Sequence, residues 1–185
     1  LSNSLAPIDG LVKLENLKLI EDKFSNSIIL SRNAKVKIEV NKIEKFSINI
    51  PFGSKIFVKD GQEVKANQTL AEWDPYTLPI IAERDGFLKY VDLQQGISFR
   101  ESVDDTTGIS SKIVIDWSQN PKSKTFKPAI NVQESLNTEE ADVDNFINYP
   151  MSVDTILSVE DEQQVYAGQV LARIPKETSK TKDIT

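Results

Sequence analysis

The 185-residue sequence contains no cysteine and no histidine, and Met151 is its one methionine. Without cysteine there is no disulfide framework, thiolate metal site or cysteine nucleophile, and nothing argues for an oxidising compartment. Without histidine, a Ser-His-Asp triad, a His-ligated zinc or haem and an imidazole acid-base pair are excluded within the chain. Carboxylate, lysine, tyrosine and hydroxyl chemistry remain. Long apolar runs are missing as well. Leu78 to Ala82, interrupted by Pro79, falls far short of the roughly 20 residues that cross a bilayer. Leu1 to Gly10 lacks the basic start and apolar stretch of a secretory signal. Positive charge is in deficit. A net charge of −6 and a pI near 4.8 argue against a nucleic-acid groove, which needs clustered Lys and Arg with few acids nearby. The expectation is a soluble cytoplasmic protein of one ordinary domain or two small ones.

What is present points to an all-β architecture. Apolar and polar residues alternate over Val36, Ile38 and Val40, then over Phe46, Ile48 and Ile50, the period of half-buried strands. Short apolar runs follow at Ile28–Leu30, Ile56–Val58, Ile80–Ala82, Phe87–Val91, Ile113–Trp117, Ile130–Val132 and Ile156–Val159. Turn residues separate them at Arg32-Asn33, Pro51-Phe52-Gly53, Asp60-Gly61, Asp85-Gly86, Gln95-Gly96, Thr107-Gly108 and Asn120-Pro121, a spacing that suits sandwiches and barrels. No long window carries helical periodicity.

The chain repeats itself. Ile56–Ala71 aligns without a gap on Leu157–Ala172, an offset of 101 residues. Val58, Asp60, Gln62, Val64, Ala66, Gln68, Leu70 and Ala71 are matched by Val159, Asp161, Gln163, Val165, Ala167, Gln169, Leu171 and Ala172, which marks one supersecondary unit used twice. Upstream, Ile48-Asn49-Ile50-Pro51 is echoed by Ile147-Asn148-Tyr149-Pro150 at an offset of 99, which reads as a two-residue length change. The unit looks like the half-motif of barrel-sandwich hybrids, the group that includes biotinyl and lipoyl carriers. A carrier needs a lysine at its hairpin tip. Here Glu72-Trp73-Asp74-Pro75 and Arg173-Ile174-Pro175 follow the paired Leu-Ala steps, so neither tip supplies one.

A closer resemblance lies in three blocks: Ala71-Glu72-Trp73-Asp74-Pro75-Tyr76-Thr77-Leu78-Pro79-Ile80, Thr107-Gly108-Ile109-Ser110-Ser111-Lys112-Ile113-Val114-Ile115-Asp116, and Leu171-Ala172-Arg173-Ile174-Pro175 with Thr181-Lys182-Asp183-Ile184-Thr185. These resemble the large insertion within the trigger loop of the bacterial RNA polymerase beta-prime subunit, and the resemblance covers nearly the whole chain. It implies two tandem sandwich-barrel hybrid motifs, in agreement with the repeat. The first is placed at residues 1–95 and the second at 96–176, with 177–185 as a connector back to the trigger loop and strand exchange between the modules allowed. Chain ends that lie near each other are expected of a domain inserted in a loop.

The resemblance also implies a function: a non-catalytic inserted module that modulates trigger-loop folding, and with it elongation, pausing and transcript cleavage. The family's trigger-loop methionine and histidine and its metal-holding aspartate motif have no match in this sequence. Catalytic, cofactor-binding and metal-binding residues are therefore expected to be none. The magnesium and zinc of the parent nucleotidyltransferase are expected to be bound elsewhere. The partners implied are the rest of RNA polymerase, its beta-prime and beta subunits, and transcription factors. No small-molecule substrate and no membrane are implied, and DNA is near only through the parent enzyme.

Two other classes compete with this one. A free-standing all-β protein-interaction module is allowed by the same composition. A carboxylate-dependent hydrolase needs two converging acids. Glu72 and Asp74 are candidates, but beside Trp73 and Pro75 they read as turn-shaping residues. Asp104 and Asp105 could be imagined on a cation, yet adjacent side chains of a strand diverge. Glu139, Glu140, Asp142 and Asp144 read as a solvated loop, and Lys176–Lys182 as a basic connector. Trp73 and Trp117 read as core or half-buried packing residues, and an exposed one would suit a protein interface.

Overall fold

The computed structural model describes residues 1–134 and 145–176, and every regular element among them is a β-strand. The strands are β1 (Ser2–Leu5), β2 (Gly10–Glu15), β3 (Leu19–Glu21), β4 (Ser27–Ile29), β5 (Lys35–Val40), β6 (Ile43–Asn49), β7 (Lys55–Ile56), β8 (Glu63–Val64) and β9 (Thr69–Trp73). They continue as β10 (Thr77–Ile81), β11 (Gly86–Val91), β12 (Phe99–Val103), β13 (Ser110–Val114), β14 (Ala129–Gln133), β15 (Phe146–Pro150), β16 (Ile156–Leu157), β17 (Gln164–Val165) and β18 (Val170–Pro175). The ladders between these strands are antiparallel. The fold is all-β, as the alternation predicts, and it fits a sandwich-barrel hybrid.

The chain divides into two compact units, Leu1–Leu78 and Pro79–Thr185. The first holds a sheet of order β1-β9-β7-β4-β3 and another of order β6-β5-β2-β8; the second holds β10-β18-β16-β13-β12 and β15-β14-β11-β17. Adding nine to each strand number of the first unit reproduces the second. The duplication therefore spans the whole of both units rather than one hairpin.

This places the division after Leu78, within β10, and not near residue 96. The reason lies in β10 and β11. Tyr90 pairs with Ile130 and Phe87 with Gln164, so β11 is an inner strand of the second unit, and β10 forms the edge beside β18. The counterpart of Gly86–Val91 is Gly10–Glu15, ahead of the first repeat rather than after Pro175.

Each unit encloses its own core, and the cores correspond side chain by side chain. Val12, Ile29, Val36, Ile38, Ile50, Ile56, Val58, Val64 and Leu70 are buried in the first. Leu88, Val114, Ile130, Val132, Met151, Leu157, Val159, Val165 and Leu171 take their places in the second. Val12 to Leu88 adds a methylene and Ile29 to Val114 removes one; Val36 to Ile130 and Ile38 to Val132 trade in the same way. Paired changes of this kind conserve volume, which close-packed interiors require. Each such buried side chain contributes roughly 1.5–3 kcal/mol by leaving water.

The ladders also correct the register of one echo. Val36 faces Ile48, while Ile130 faces Tyr149. The Ile50 N–H donates to Ala34 O, and the Met151 N–H to Pro128 O, both at 2.9 Å. Ile50 therefore corresponds to Met151, and the 101-residue offset runs through β6 and β15 without a gap. The match at 99 is two residues out of register. A two-residue slip leaves every strand side chain on the same face, so hydrophobic pattern alone does not reveal it.

Candidate functional site

Three of the eight identities that expose the repeat are polar, and the structure gives these one task. Asp60 Oδ1 accepts from Leu14 N–H at 2.9 Å, and Asp161 Oδ1 from Tyr90 N–H at 2.8 Å. Gln62 and Gln163 each accept from a backbone N–H three residues back, on Lys59 and Glu160. Gln68 and Gln169 do the same for Lys65 and Tyr166, both at 3.1 Å. Asp9 caps Ala66 N–H and Asp85 caps Ala167 N–H, each at 2.8 Å. These carboxylates and amides satisfy backbone donors that the short strands leave unpaired. They are spoken for by the fold and are not poised for chemistry.

Asp9 and Asp85 belong to a further echo that precedes β2 and β11. Ala6-x-x-Asp9-Gly10 recurs as Ala82-x-x-Asp85-Gly86. The alanines are fully buried, and both glycines open a strand that lies very close to its neighbour. A Cβ on Gly10 would sit 2.7 Å from Glu39 O and 2.5 Å from Ile38 Cγ2; on Gly86 it would sit 2.4 Å from Gln133 O. Gly86 is thus a close-approach residue at the head of β11, not a turn residue.

Of the carboxylates considered for acid-base or metal chemistry, Asp74 accepts from Tyr76 N–H at 2.8 Å and from Thr77 Oγ1 at 2.6 Å. Both its oxygens brace the turn between β9 and β10, and Glu72 lies on β9 opposite Asn3 and Lys55. Asp104 caps Thr106 N–H within a hairpin tip at 2.8 Å, and Asp105 beside it is exposed. No three Asp or Glu residues gather as a metal site among the described residues. Glu139, Glu140, Asp142 and Asp144 lie outside the described residues, as do residues 177–185 with the expected connector and the chain end. Lys176 is half-buried. A shallow hollow where β2, β5 and β8 meet is edged by Asp9, Glu39 and Glu63, with Lys65 3.7 Å from Asp9. It offers charge but no nucleophile paired with a base.

The titrating groups that stand out are structural. Burial, with Glu160 and Asp161 nearby, pushes the Tyr90 phenol strongly upward; its O–H donates to Val159 O. Burial likewise raises Tyr149, whose hydroxyl oxygen accepts from Glu83 N–H at 3.0 Å. At Asp22 the cost of burial is outweighed by hydrogen bonds from Asn26 and Phe24, which hold the carboxyl below its ordinary value. Hydrogen bonds from Ser118, then Gln119, lower Asp116. Trp73 and Trp117 are half-buried, each against the core of its own unit.

Two exposed hairpin tips stand out among the described residues. The β12–β13 hairpin is exposed from Arg100 to Ser110. The β3–β4 hairpin, its counterpart in the first unit, presents Phe24 at 73% exposure.

No family model matches the chain. Along its whole length it is 40% identical to the DNA-directed RNA polymerase subunit beta' of Ehrlichia ruminantium (strain Gardel). It is likewise 40% identical to that of Ehrlichia chaffeensis (strain Arkansas) and 41% identical to that of Anaplasma marginale (strain Florida). The chain spans 13% of the length of each of these curated relatives. The match spans both nine-stranded units. From its first residue to its last, the chain is homologous to one segment of the bacterial DNA-directed RNA polymerase beta' subunit.

Proposed function

We propose that this chain is a non-catalytic module inserted in the trigger loop of a cytoplasmic RNA polymerase, where it modulates the folding of that loop. The observation that carries the reading is the full-length match of two closed, self-contained β-units to a segment that is 13% of the beta' subunit. Support comes from the Ala71–Ile80 and Thr107–Asp116 blocks and from Leu171–Pro175 with Thr181–Thr185, which resemble that insertion and its exit. Asp60, Asp74 and Asp161 cap backbone groups. Catalysis is assigned to residues of the subunit outside this chain.

The mechanism follows from linkage. A trigger loop that folds around substrate and opens after turnover is a two-state element. A domain spliced into it travels with it and meets different surroundings in the two states. The difference in contact free energy biases the equilibrium, typically by about 1–3 kcal/mol, or roughly 5- to 150-fold in the ratio of states. Elongation rate, pause lifetime and transcript cleavage shift together. The test is clean excision of the segment from the full-length subunit, with a short linker in its place, followed by single-round transcription. Pause lifetimes and cleavage rates altered several-fold, with nucleotide addition retained, are expected. Pausing, elongation and cleavage identical to the parent enzyme would refute the reading.

A further inference from the structure

The duplication supplies an internal control for what the fold requires, and the hairpins β3–β4 and β12–β13 depart from it. Ile29 and Val114 correspond, since their N–H groups donate to Ser54 O and Thr155 O, each at 2.9 Å. Leu19 pairs with Ile29 and Phe99 with Val114, so Glu21 corresponds to Glu101 and Ser27 to Lys112. The first copy closes its hairpin with Asp22–Asn26. The second spans Ser102–Ser111 and carries its ladder two pairs further, Ser102 to Ser111 and Val103 to Ser110.

The short tip is satisfied internally. Asp22 accepts from Phe24 N–H, Asn26 N–H and Asn26 Nδ2 at 2.8–3.2 Å, and the Lys23 ammonium lies over the Phe24 ring, 5.2 Å from its centroid. The long tip is ordered by its backbone and by caps from Asp104 on Thr106 N–H and Thr107 Oγ1 on Ile109 N–H, at 2.8 and 3.3 Å, but it leaves its apolar side chains uncovered. Asp104 N–H donates to Ile109 O at 2.9 Å and Gly108 N–H to Asp104 O at 2.8 Å. Val103 and Ile109 are 59% and 65% exposed. Successive cross-strand pairs point to opposite faces, so Val103 stands on one face of the extension beside Glu101, and Ile109 on the other beside Asp104. The cross-strand neighbour of Glu101 is Lys112. Its ammonium is engaged elsewhere, on Glu160 and over the Tyr90 and Phe99 rings at 5.8 and 5.9 Å. Glu101, Asp104 and Asp105 make no ion pair among the described residues, and β12 is the outer strand of its sheet.

We propose that the β12–β13 extension is a docking blade that inserts into a protein cleft whose walls carry lysine or arginine around apolar contacts. An apolar side chain with a carboxylate beside it on each face suits two opposed walls rather than one flat surface. The acids repel nucleic acid and attract a basic wall. The preformed tip limits the entropy lost on docking. The proposal rests on the reading of the chain as a module of a larger subunit only for where the cleft is sought.

The test places a photo-crosslinking phenylalanine analogue at Val103, and separately at Phe24, in the full-length subunit assembled into its enzyme. Position 103 is expected to crosslink to one protein segment rich in lysine and arginine. The yield should fall at least five-fold in the D104K/D105K variant and between low and high salt, and position 24 should give no such product. Replacing Ser102–Ser111 by the Asp-Lys-Phe-Ser-Asn tip of the first copy should abolish docking while leaving the thermal midpoint within about 2 °C. Absence of a crosslink at 103, crosslinking to nucleic acid, equal yield at 24, or a yield indifferent to charge reversal overturns the proposal. A specific crosslink together with unaltered pausing after excision would leave the blade standing and refute the trigger-loop reading instead.

Discussion

The two halves of this chain are nine-stranded copies of one plan, and they differ in what they preserve. Side-chain identity is mostly lost outside the Ile56–Ala71 repeat, but backbone geometry is not. Left-handed residues recur at the same places with the residue types exchanged. Gly53 (φ 83°) becomes Asp154 (76°), Gly61 (82°) becomes Glu162 (66°), and Asn67 (72°) becomes Gly168 (84°). Glycine is the easier occupant of that region, yet neither copy holds it at all three places. Core volume is conserved by compensating Val, Leu and Ile exchanges. What the plan demands is positions for turns, backbone caps and filled space. What it leaves free is the length of the hairpins, and there the copies part.

The sharpest way to break this comparison is at the close-approach glycines. Gly86→Ala drives a Cβ onto Gln133 O, where no rotamer change gives relief, and should cost about 2–4 kcal/mol. Gly61→Ala has open space around it but a φ of +82° and should cost about 1 kcal/mol. Urea unfolding followed through Trp117 in a Trp73→Phe background reads the first of these, and Trp73 in a Trp117→Phe background reads the second. Equal losses would mean that strand proximity is not what the Asp-Gly step secures.

Alkaline pH should separate the copies next. Tyr90 and Tyr149 occupy the places of Leu14 and Ile48. Both phenols are raised in the folded state by burial. A raised folded value means that the stabilisation is fully present below the unfolded value near 10 and is lost as pH climbs above it. The second unit should therefore lose stability between about pH 10 and 11 at the positions where the first carries hydrocarbon. Urea midpoints read through the two tryptophans at pH 9 and 10.5 test this; parallel losses in both units would contradict it.

The smallest effect expected is at Glu162. Its left-handed backbone matches that of Gly61, so Glu162→Gly should stabilise the second unit by about 0.5 kcal/mol as strain is relieved against the entropy of a freer unfolded chain. Differential scanning calorimetry can resolve that gain, and a loss would show the Glu162 backbone to be unstrained.

Much of this was legible in the sequence, for physical reasons that also mark where reading stopped. Alternation at β5 and β6 and the Asp-x-Gln-x-Val spacing at residues 60–64 and 161–165 are imposed by the pleat and by backbone caps, so they survived divergence and could be read. Strands β2 and β11 share little beyond Ala-x-x-Asp-Gly, because their inward positions exchanged Val12 for Leu88 and their flanking positions were free. That loss hid the first half of each copy and displaced the apparent boundary to residue 96. The slip at Ile48–Pro51 went undetected because strands repeat every two residues. The β12 edge escaped notice because Arg100-Glu101-Ser102 carries no apolar alternation; its exposure comes from the hairpin running past the core. Asp74 shapes the turn as its place in the sequence suggests, since aspartate two residues before an N–H is a local backbone cap, whereas Glu72 lies within β9.

The claim on which the comparison depends is that each copy is complete in itself, with its last first-unit strand ending at Trp73. It is tested most directly by expressing residues 1–78 and residues 1–95 separately and following urea unfolding by Trp73 fluorescence. The account predicts that residues 1–78 unfold in one cooperative transition with Trp73 half-buried, and that the added 17 residues, which include β11, leave the midpoint unchanged. An unfolded 1–78 beside a folded 1–95 would contradict it and return β11 to the first unit.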